Sequence, residues 1–319
     1  MSEFITIGES LVVFCSTEPD VTIQDSTNFN KVVGGAELNV AVGVRRLGHS
    51  VEYIGQVGKD PQGKFIEKQI KSKSIGTKYL EQTDQYLNGY QMKQLVTKGD
   101  PKVFNFRKNS AGTNIDLDLI NKIDLSGVKI GHVTGIFPAT SKNALATSMA
   151  LIKRLNQNEI TVTFDPNLRP DLWPNQETMV RTLNEIASLA DIVLPGQSEG
   201  KILTGYDDPE KIADFYLQGK TKAVFVKVGS KGAYVKTKTS PGVFVPGFKV
   251  EKVVDTVGAG DGFALGVITS LLEGKTYAQA AKRGNAVGAL QVQAHGDNDG
   301  YPTRNELDEF YQENGVENI

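Results

Sequence analysis

Strand-like apolar runs and amphipathic helical runs alternate over most of this chain, and that alternation argues for an α/β fold with a largely parallel sheet. Phe4 to Ile7 reads as a first strand, Ala36 to Leu47 as a helix stopped by Gly48, and Val51 to Val57 as the next strand. Asp60-Pro61 looks like a cap and first-turn pair opening a helix that runs to about Lys73. Val128 to Val133 and Ile160 to Phe164 read as buried strands around a helix from about Lys142 to Asn156. Asp191 to Leu194 and Ala223 to Val228 are further core strands, and helices near 176–189, 209–218, 276–293 and 303–312 complete the pattern. Two segments break it. Ser10 to Val33 is β-like and rich in Thr, Asn and Asp, and Gln85 to Arg107 reads as a hairpin with Lys98-Gly99-Asp100 at its tip. No repeat of fixed period and no low-complexity tract is visible.

The stretch richest in chemistry is Asp255-Thr256-Val257-Gly258-Ala259-Gly260-Asp261-Gly262-Phe263, between a β-like run (Phe248 to Val254) and a small-residue helical run (Phe263 to Leu272). Gly258 and Gly260 permit a tight turn that points several N–H groups one way, at a helix start where the dipole favours anions. Asp261 then sets a carboxylate beside an anion hole, where it suits a base that takes the proton from a hydroxyl attacking a phosphate. A helix-capping aspartate after a glycine turn explains the same residues more plainly, and on this stretch alone the two readings balance.

Two common phosphate-binding loops are excluded. Gly274-Lys275-Thr276 has the ending of a Walker loop, but Thr269 stands at the first glycine and a helix precedes it, so Gly274 reads as a helix stop. Phe263 stands where a dinucleotide fingerprint needs its third glycine.

The Asp255–Asp261 stretch resembles the D-T-x-G-A-G-D signature of ribokinase-like sugar kinases, the phosphofructokinase-B family. A second signature of that family, Gly34-Gly35-Ala36-Glu37-Leu38-Asn39-Val40-Ala41 running on to Arg46-Leu47-Gly48, lies near the start, and the resemblance extends over essentially all 319 residues. It implies one domain over 1–319, a ribokinase-like three-layer sandwich with a mostly parallel central sheet, and a small β lid formed by about 10–33 and 85–107. Ordinary surface hairpins are the alternative for those two segments. Further positions match the family's nucleotide site: Lys227, Gly229, Ser230 and Gly232 in Lys227-Val228-Gly229-Ser230-Lys231-Gly232-Ala233, which a plain β-turn explains equally well. Glu199 stands in the place of the family's Asn-x-x-Glu motif, with Gly196 where the asparagine should be. That glutamate helps organise phosphates and magnesium through water in relatives; a solvated first-turn glutamate is the plainer account. The resemblance implies ATP and Mg2+, the ion held mainly by phosphate oxygens and water. It also implies a monovalent cation near the anion loop in many members, with Asp255 as a candidate ligand.

For the second substrate, Gly34-Gly35 allows close approach to the backbone, and Asn39 one turn later offers a donor and an acceptor to hydroxyls, unless it is only a polar residue on a helix face. Arg107 follows the hairpin and Arg169 follows a core strand, at the end where open α/β sheets bind ligands. Two convergent guanidiniums suit an acidic substrate; each alone is better explained as a surface ion-pair partner. The aromatic-Arg-Lys-x-Ser-Ala-Gly segment at Phe106–Gly112, Asp165-x-Asn167-x-Arg169, and Gly296-Asp297-Asn298-Asp299-Gly300 are similar to the 2-keto-3-deoxygluconate kinase subgroup. There Tyr90 and Asp297 match positions that contact the sugar acid, and Asn105 stands where relatives often place a tyrosine. The resemblance implies phosphorylation of the C6 hydroxyl of a sugar acid, with Asp261 as base and Gly258, Ala259 and Gly260 as the anion hole. A neutral ketose such as fructose, or a sugar-acid-binding regulator without catalysis, are the competing readings.

Composition narrows the partners. Lys and Arg number 35 against 37 Asp and Glu, net −2, which gives no footprint for nucleic acid or membrane. With Cys15 alone no intramolecular disulfide forms, and with His49, His132 and His295 beside it a zinc site is not expected. Met-Ser-Glu-Phe-Ile has no basic region before an apolar stretch, so no signal peptide is expected and a cytoplasmic location follows. Relatives often pair through the lid, so the resemblance implies a homo-oligomer.

Overall fold

The computed structural model describes residues 2–97 and 101–316. In chain order the strands are β1 (Phe4–Ile7), β2 (Leu11–Ser16), β3 (Phe29–Gly34), β4 (Val51–Gly58), β5 (Leu80–Thr83), β6 (Tyr90–Lys93), β7 (Val103–Phe106), β8 (Ile130–Thr134), β9 (Thr161–Asp165), β10 (Ile192–Val193), β11 (Ala223–Lys227), β12 (Gly232–Thr237) and β13 (Val243–Pro246). The helices are α1 (Ala36–Arg46), α2 (Pro61–Ser72), α3 (Leu117–Lys122), α4 (Ile136–Thr140), α5 (Lys142–Gln157), α6 (Gln176–Ser188), α7 (Gln197–Thr204), α8 (Pro209–Leu217), α9 (Ala259–Leu272), α10 (Tyr277–Gln291) and α11 (Arg304–Glu313).

Among the described residues the strands form two sheets. The large one has the order β13-β12-β11-β10-β9-β8-β1-β4-β5, parallel from β11 to β5, with β12 and β13 antiparallel additions at one edge. From β1 the chain builds outward through β4 to β5 on one side, then crosses to β8 on the other. The β1–β8 boundary is therefore a switch point, and the carboxyl ends of the strands there open a crevice for ligands.

Successive strand residues point to opposite faces, so both faces are apolar. Phe4 and Phe225 join one buried cluster with α1, α2, α9, α10 and α11. Their chain neighbours Ile5 and Val226 join the other, with α3, α5, α6, α7 and α8. Truncating a wholly buried phenylalanine such as Phe164 or Phe225 to alanine costs about 3–5 kcal/mol in a core of this kind. The largely parallel α/β sheet expected from the alternation, and the three-layer sandwich that the resemblance implies, are the observed architecture.

The two segments that broke the alternation make the second sheet, in the order β3-β2-β6-β7. It stands over the carboxyl end of the large sheet, with Arg107 just past β7 reaching Glu9 just past β1. The expected hairpin tip, 98–100, lies outside the described residues.

One expected strand is absent. Residues 248–254 alternate like a strand but form none. The β12–β13 register ends at Gly232↔Pro246, and the chain then leaves the sheet edge. Phe248 packs edge-on against Phe310, with ring centroids 5.0 Å apart, and Phe248, Val250 and Val253 line an apolar cavity. The alternation reflects burial along the cavity wall and not a ladder.

Candidate active site

Asp261 lies in the first turn of α9, the helix that follows the glycine turn. Gly258 adopts φ +79°, and a Cβ there would stand 2.0 Å from the carbonyl oxygen of Asp297. Handedness and crowding thus both require glycine. The first three N–H groups of a helix have no intrahelical acceptor. Here they belong to Ala259, Gly260 and Asp261, and that of Ala259 has the Thr256 carbonyl at 3.4 Å.

The Asp261 carboxylate is buried and held from two sides. Asn39 Nδ2, from the first turn of α1, donates to Oδ2 at 2.9 Å, and Asn167 Nδ2 donates to Oδ1 at 3.3 Å. Asn298 Nδ2 in turn donates to Asn39 Oδ1 at 2.8 Å, which fixes the amide orientation. Asn39, expected to present its amide to substrate hydroxyls, therefore spends both ends on protein partners. Burial pushes the Asp261 carboxyl up to about 7; the Asn39 hydrogen bond opposes this, and the charges of Asp165 and Glu37 add to it. A carboxylate poised near neutrality is matched to proton transfer at physiological pH.

Asp165 ends β9 and is 1% exposed; Lys227 ends β11 and places Nζ 2.7 Å from Asp165 Oδ2. Burial pushes the Asp165 carboxyl up to about 6, with Lys227 opposing. Burial works against the Lys227 ammonium, but the carboxylates of Asp165 and Glu199 outweigh it and raise its pKa. Lys227 Nζ also stands 3.7 Å from where a Gly260 Cβ would be, so a buried positive charge abuts the anion loop.

Two cavities meet at this loop. One, of about 520 Å³, is polar and lies between the sheet ends and the small sheet; Asp261, Glu9, Asn105, Arg107 and Arg169 are on its wall. The other, of about 650 Å³, is lined by apolar side chains such as Val250, Val253, Phe263 and Val292, with Gly229, Ser230 and Gly232 at its rim. Lys227, Thr256 and Gly260 belong to both walls. A group spanning the cavities would pass over the Gly260 N–H and beside the Lys227 ammonium, while Asp261 faces the polar cavity alone.

The other expected site residues distribute as follows. Arg107 and Arg169 do share the polar cavity. Arg107 is also paired with Glu9, through Nε at 2.8 Å and Nη2 at 2.5 Å. Glu9 is 2% exposed and accepts from Ser110 as well. Arg169 donates only to its neighbour's carbonyl, Leu168, and is exposed. Gly35 and Asp297 are on the cavity wall, and Gly34 faces the Asp297 carboxylate, 2.9 Å from where its Cβ would be. Tyr90 is not on that wall. It stacks on Phe106 at 4.8 Å, and because β6 alternates, its neighbour Gln91 faces the cavity instead, bonded to Asn105 at 2.7 Å. Glu199 lines the polar cavity, but its oxygens accept from Leu168 N at 2.8 Å and Gly196 N at 2.6 Å, so it anchors the Asn167–Arg169 loop to α7. Asp255, a candidate cation ligand on sequence grounds, has the Lys93 ammonium at 2.7 Å.

Glu9, Lys93, Asp165, Asn167 and Asn298 had no role assigned from sequence. Asp165 and Glu9 carried one usable signal, a carboxylate at or just past the end of a strand of apolar and threonine residues.

Among the described residues no helix is long and apolar enough to cross a membrane, and no three His, Cys, Asp or Glu side chains gather to cage a metal.

Comparison with known proteins places these features in a family. The model of the pfkB family carbohydrate kinases matches residues 1–304. The 2-dehydro-3-deoxygluconokinase of Bacillus subtilis (strain 168) is 44% identical over 307 residues, covering 96% of this chain and 94% of that protein. The crystal structure of a PfkB protein from Polaromonas sp. JS666 superposes with TM-score 0.88 at 37% identity, covering 97% of this chain and 99% of that one. A fructokinase double mutant from Vibrio cholerae, solved with fructose, ADP and potassium ion, superposes with TM-score 0.84 at 26% identity over 97% of this chain and 98% of that one.

Proposed function

Because this chain belongs to the pfkB family of carbohydrate kinases, we propose that it transfers the γ-phosphoryl group of ATP to the C6 hydroxyl of 2-keto-3-deoxy-D-gluconate. The observation that carries the reading is the meeting of a polar cavity and an apolar cavity at Lys227, Thr256 and Gly260, with Asp261 on the polar side only. The apolar cavity suits a nucleotide base and the polar one a sugar acid, and the phosphates between them lie across the anion loop.

In this reading Arg107 and Arg169 hold the substrate carboxylate, and Asn105, Gln91 and Asp297 surround its hydroxyls. Asp261 takes the C6 proton as that oxygen attacks the γ-phosphorus, and ADP leaves from the opposite side. Charge building on the transferred group meets the Gly260 and Asp261 N–H groups and the Lys227 ammonium. The carboxylates of Glu199 and Asp165 on the wall of the polar cavity fit a magnesium ion carried on the nucleotide, which they would hold through water. Such an ion would supply charge neutralisation to the phosphates. The small sheet covers the polar cavity and excludes water that would otherwise accept the phosphoryl group.

The 44% identity to a 2-dehydro-3-deoxygluconokinase and the arginine pair on one wall favour a sugar acid over a neutral ketose. The test is coupled ADP release with ATP and magnesium, comparing 2-keto-3-deoxygluconate with fructose and ribose. Far higher kcat/KM on the keto acid is expected. Preference for a neutral sugar would return both arginines to structural roles and leave Asp261 as the base.

Lid pairing between two copies belongs to the same proposal. Val103, Phe104 and Phe106 on edge strand β7 are all more than 40% exposed, an apolar edge of the kind that a second chain covers. Light scattering on the purified protein, with Phe104→Asp as the disrupting variant, measures it.

A further inference from the structure

Lys93 is the last residue of β6 in the small sheet, and Asp255 opens the anion loop 162 residues later. Their side chains are 2.7 Å apart and only 11% and 12% exposed. Lys93 Nζ is also 3.6 Å from Asp297 Oδ1. The other Asp255 oxygen accepts from Val257 N at 3.0 Å, which shapes the turn leading into Gly258. The Asp297 backbone packs on Gly258, and its carboxylate faces Gly34. One ammonium therefore sits between the carboxylate that shapes the anion loop and the carboxylate beside the sugar end of the cavity, carried there by a strand of the lid. Two half-buried carboxylates this close repel unless a cation stands between them. A related fructokinase holds a potassium ion, and Asp255 is the side chain that the family resemblance offers for such an ion. In this chain that carboxylate already has a cation of the same charge, covalently attached.

We propose that Lys93 is the resident monovalent cation of this site: a tethered ammonium that neutralises Asp255 and Asp297, fixes the Asp255–Gly258 turn, and makes the kinase independent of added potassium. Lys93 is a positioning residue, acting on the phosphoryl group through the loop. The inference rests on the kinase reading for its activity readout, and on the fold alone for its stability readout.

The experiment compares the wild type and Lys93→Ala in buffers of equal ionic strength containing tetramethylammonium, potassium or ammonium chloride. The wild type is expected to show the same kcat/KM and the same Tm in all three. Lys93→Ala is expected to lose roughly 10–100-fold in kcat/KM in tetramethylammonium, the usual cost of removing a group that orients a site residue. It should recover much of that loss, and gain Tm, in potassium or ammonium. A wild type that potassium activates as strongly as the variant overturns the proposal, as does a variant that no small cation rescues. If no sugar is turned over, the kinase reading fails, and the Tm comparison still decides whether Lys93 fills a cation site. Lys93→Gln provides the same comparison should the alanine variant not fold.

Discussion

Asn39 and Asp261, 222 residues apart in the chain, meet at 2.9 Å with the asparagine amide donating to the carboxylate. Each sits in the first turn of its helix, α1 and α9, and the two helices share one buried cluster. The hydrogen bond favours the charged carboxylate and so partly offsets burial. Asn39→Leu should move the Asp261 pKa above about 7. The acid limb of the kcat profile should then shift to higher pH, with kcat at pH 6 falling more than at pH 9. A profile with an unmoved limb would remove Asn39 from the tuning of the base.

Asp261→Asn should lower kcat by ~10²–10⁴-fold, the usual value of a positioned general base. Its effect on stability has the opposite sign. The folded pKa, about 7, lies above the ordinary carboxylate value of 3.8. The group therefore supports folding best below pH 4, and that support is lost as pH rises through 7. The Tm of Asp261→Asn relative to wild type should rise between pH 5 and pH 8. An active variant would sink the base assignment, and a pH-independent Tm difference would sink the buried charge.

Lys227→Met leaves Asp165 buried without its ion-pair partner. Removing one member of a buried pair costs up to about 3–5 kcal/mol. Because Asp165 protonates near pH 6 even with Lys227 present, the cost should shrink at low pH. Urea denaturation at pH 5 and pH 8 should give the larger loss at pH 8. Equal losses at both would mean that Asp165 is not charged in the folded state.

The two arginines should separate experimentally. Arg169→Ala and Arg107→Ala should each raise KM for the keto acid by on the order of 10–100-fold, from about 1.5–3 kcal/mol per charged hydrogen bond. Only Arg107→Ala should also lower Tm, because it strips the buried Glu9 of its guanidinium. Equal loss on fructose for Arg169→Ala would contradict carboxylate recognition.

Much of this was legible in the chain because it is local. The α2 start at Asp60-Pro61 is a cap that needs only its own next residues, and Asp60 Oδ1 does accept from Gly63 N at 2.8 Å. The anion turn is similarly local: glycines at 258 and 260 and the carboxylate at 261 specify it wherever the helix lands. The run 248–254 misled because alternation reports burial on one side, and a cavity wall produces it as well as a sheet does. Tyr90 misled through strand phase: which of two neighbours faces the cavity depends on the pairing with β7, which no single strand encodes.

The sequence by itself determined the α/β layering, the kinase signatures and the glycine turn that sets Asp261 in the first turn of α9. Periodicity and short motifs act over a few residues, and these features have that range. The tertiary structure decided which charges meet. Glu9 faces Arg107, Asp165 faces Lys227, and Lys93 faces Asp255, across 98, 62 and 162 residues. Such pairs depend on how strands are ordered in a sheet and where a second sheet sits over the first. Burial then sets their energies: it pushes the Asp165 carboxyl up to about 6, where on the surface it would titrate near its ordinary value.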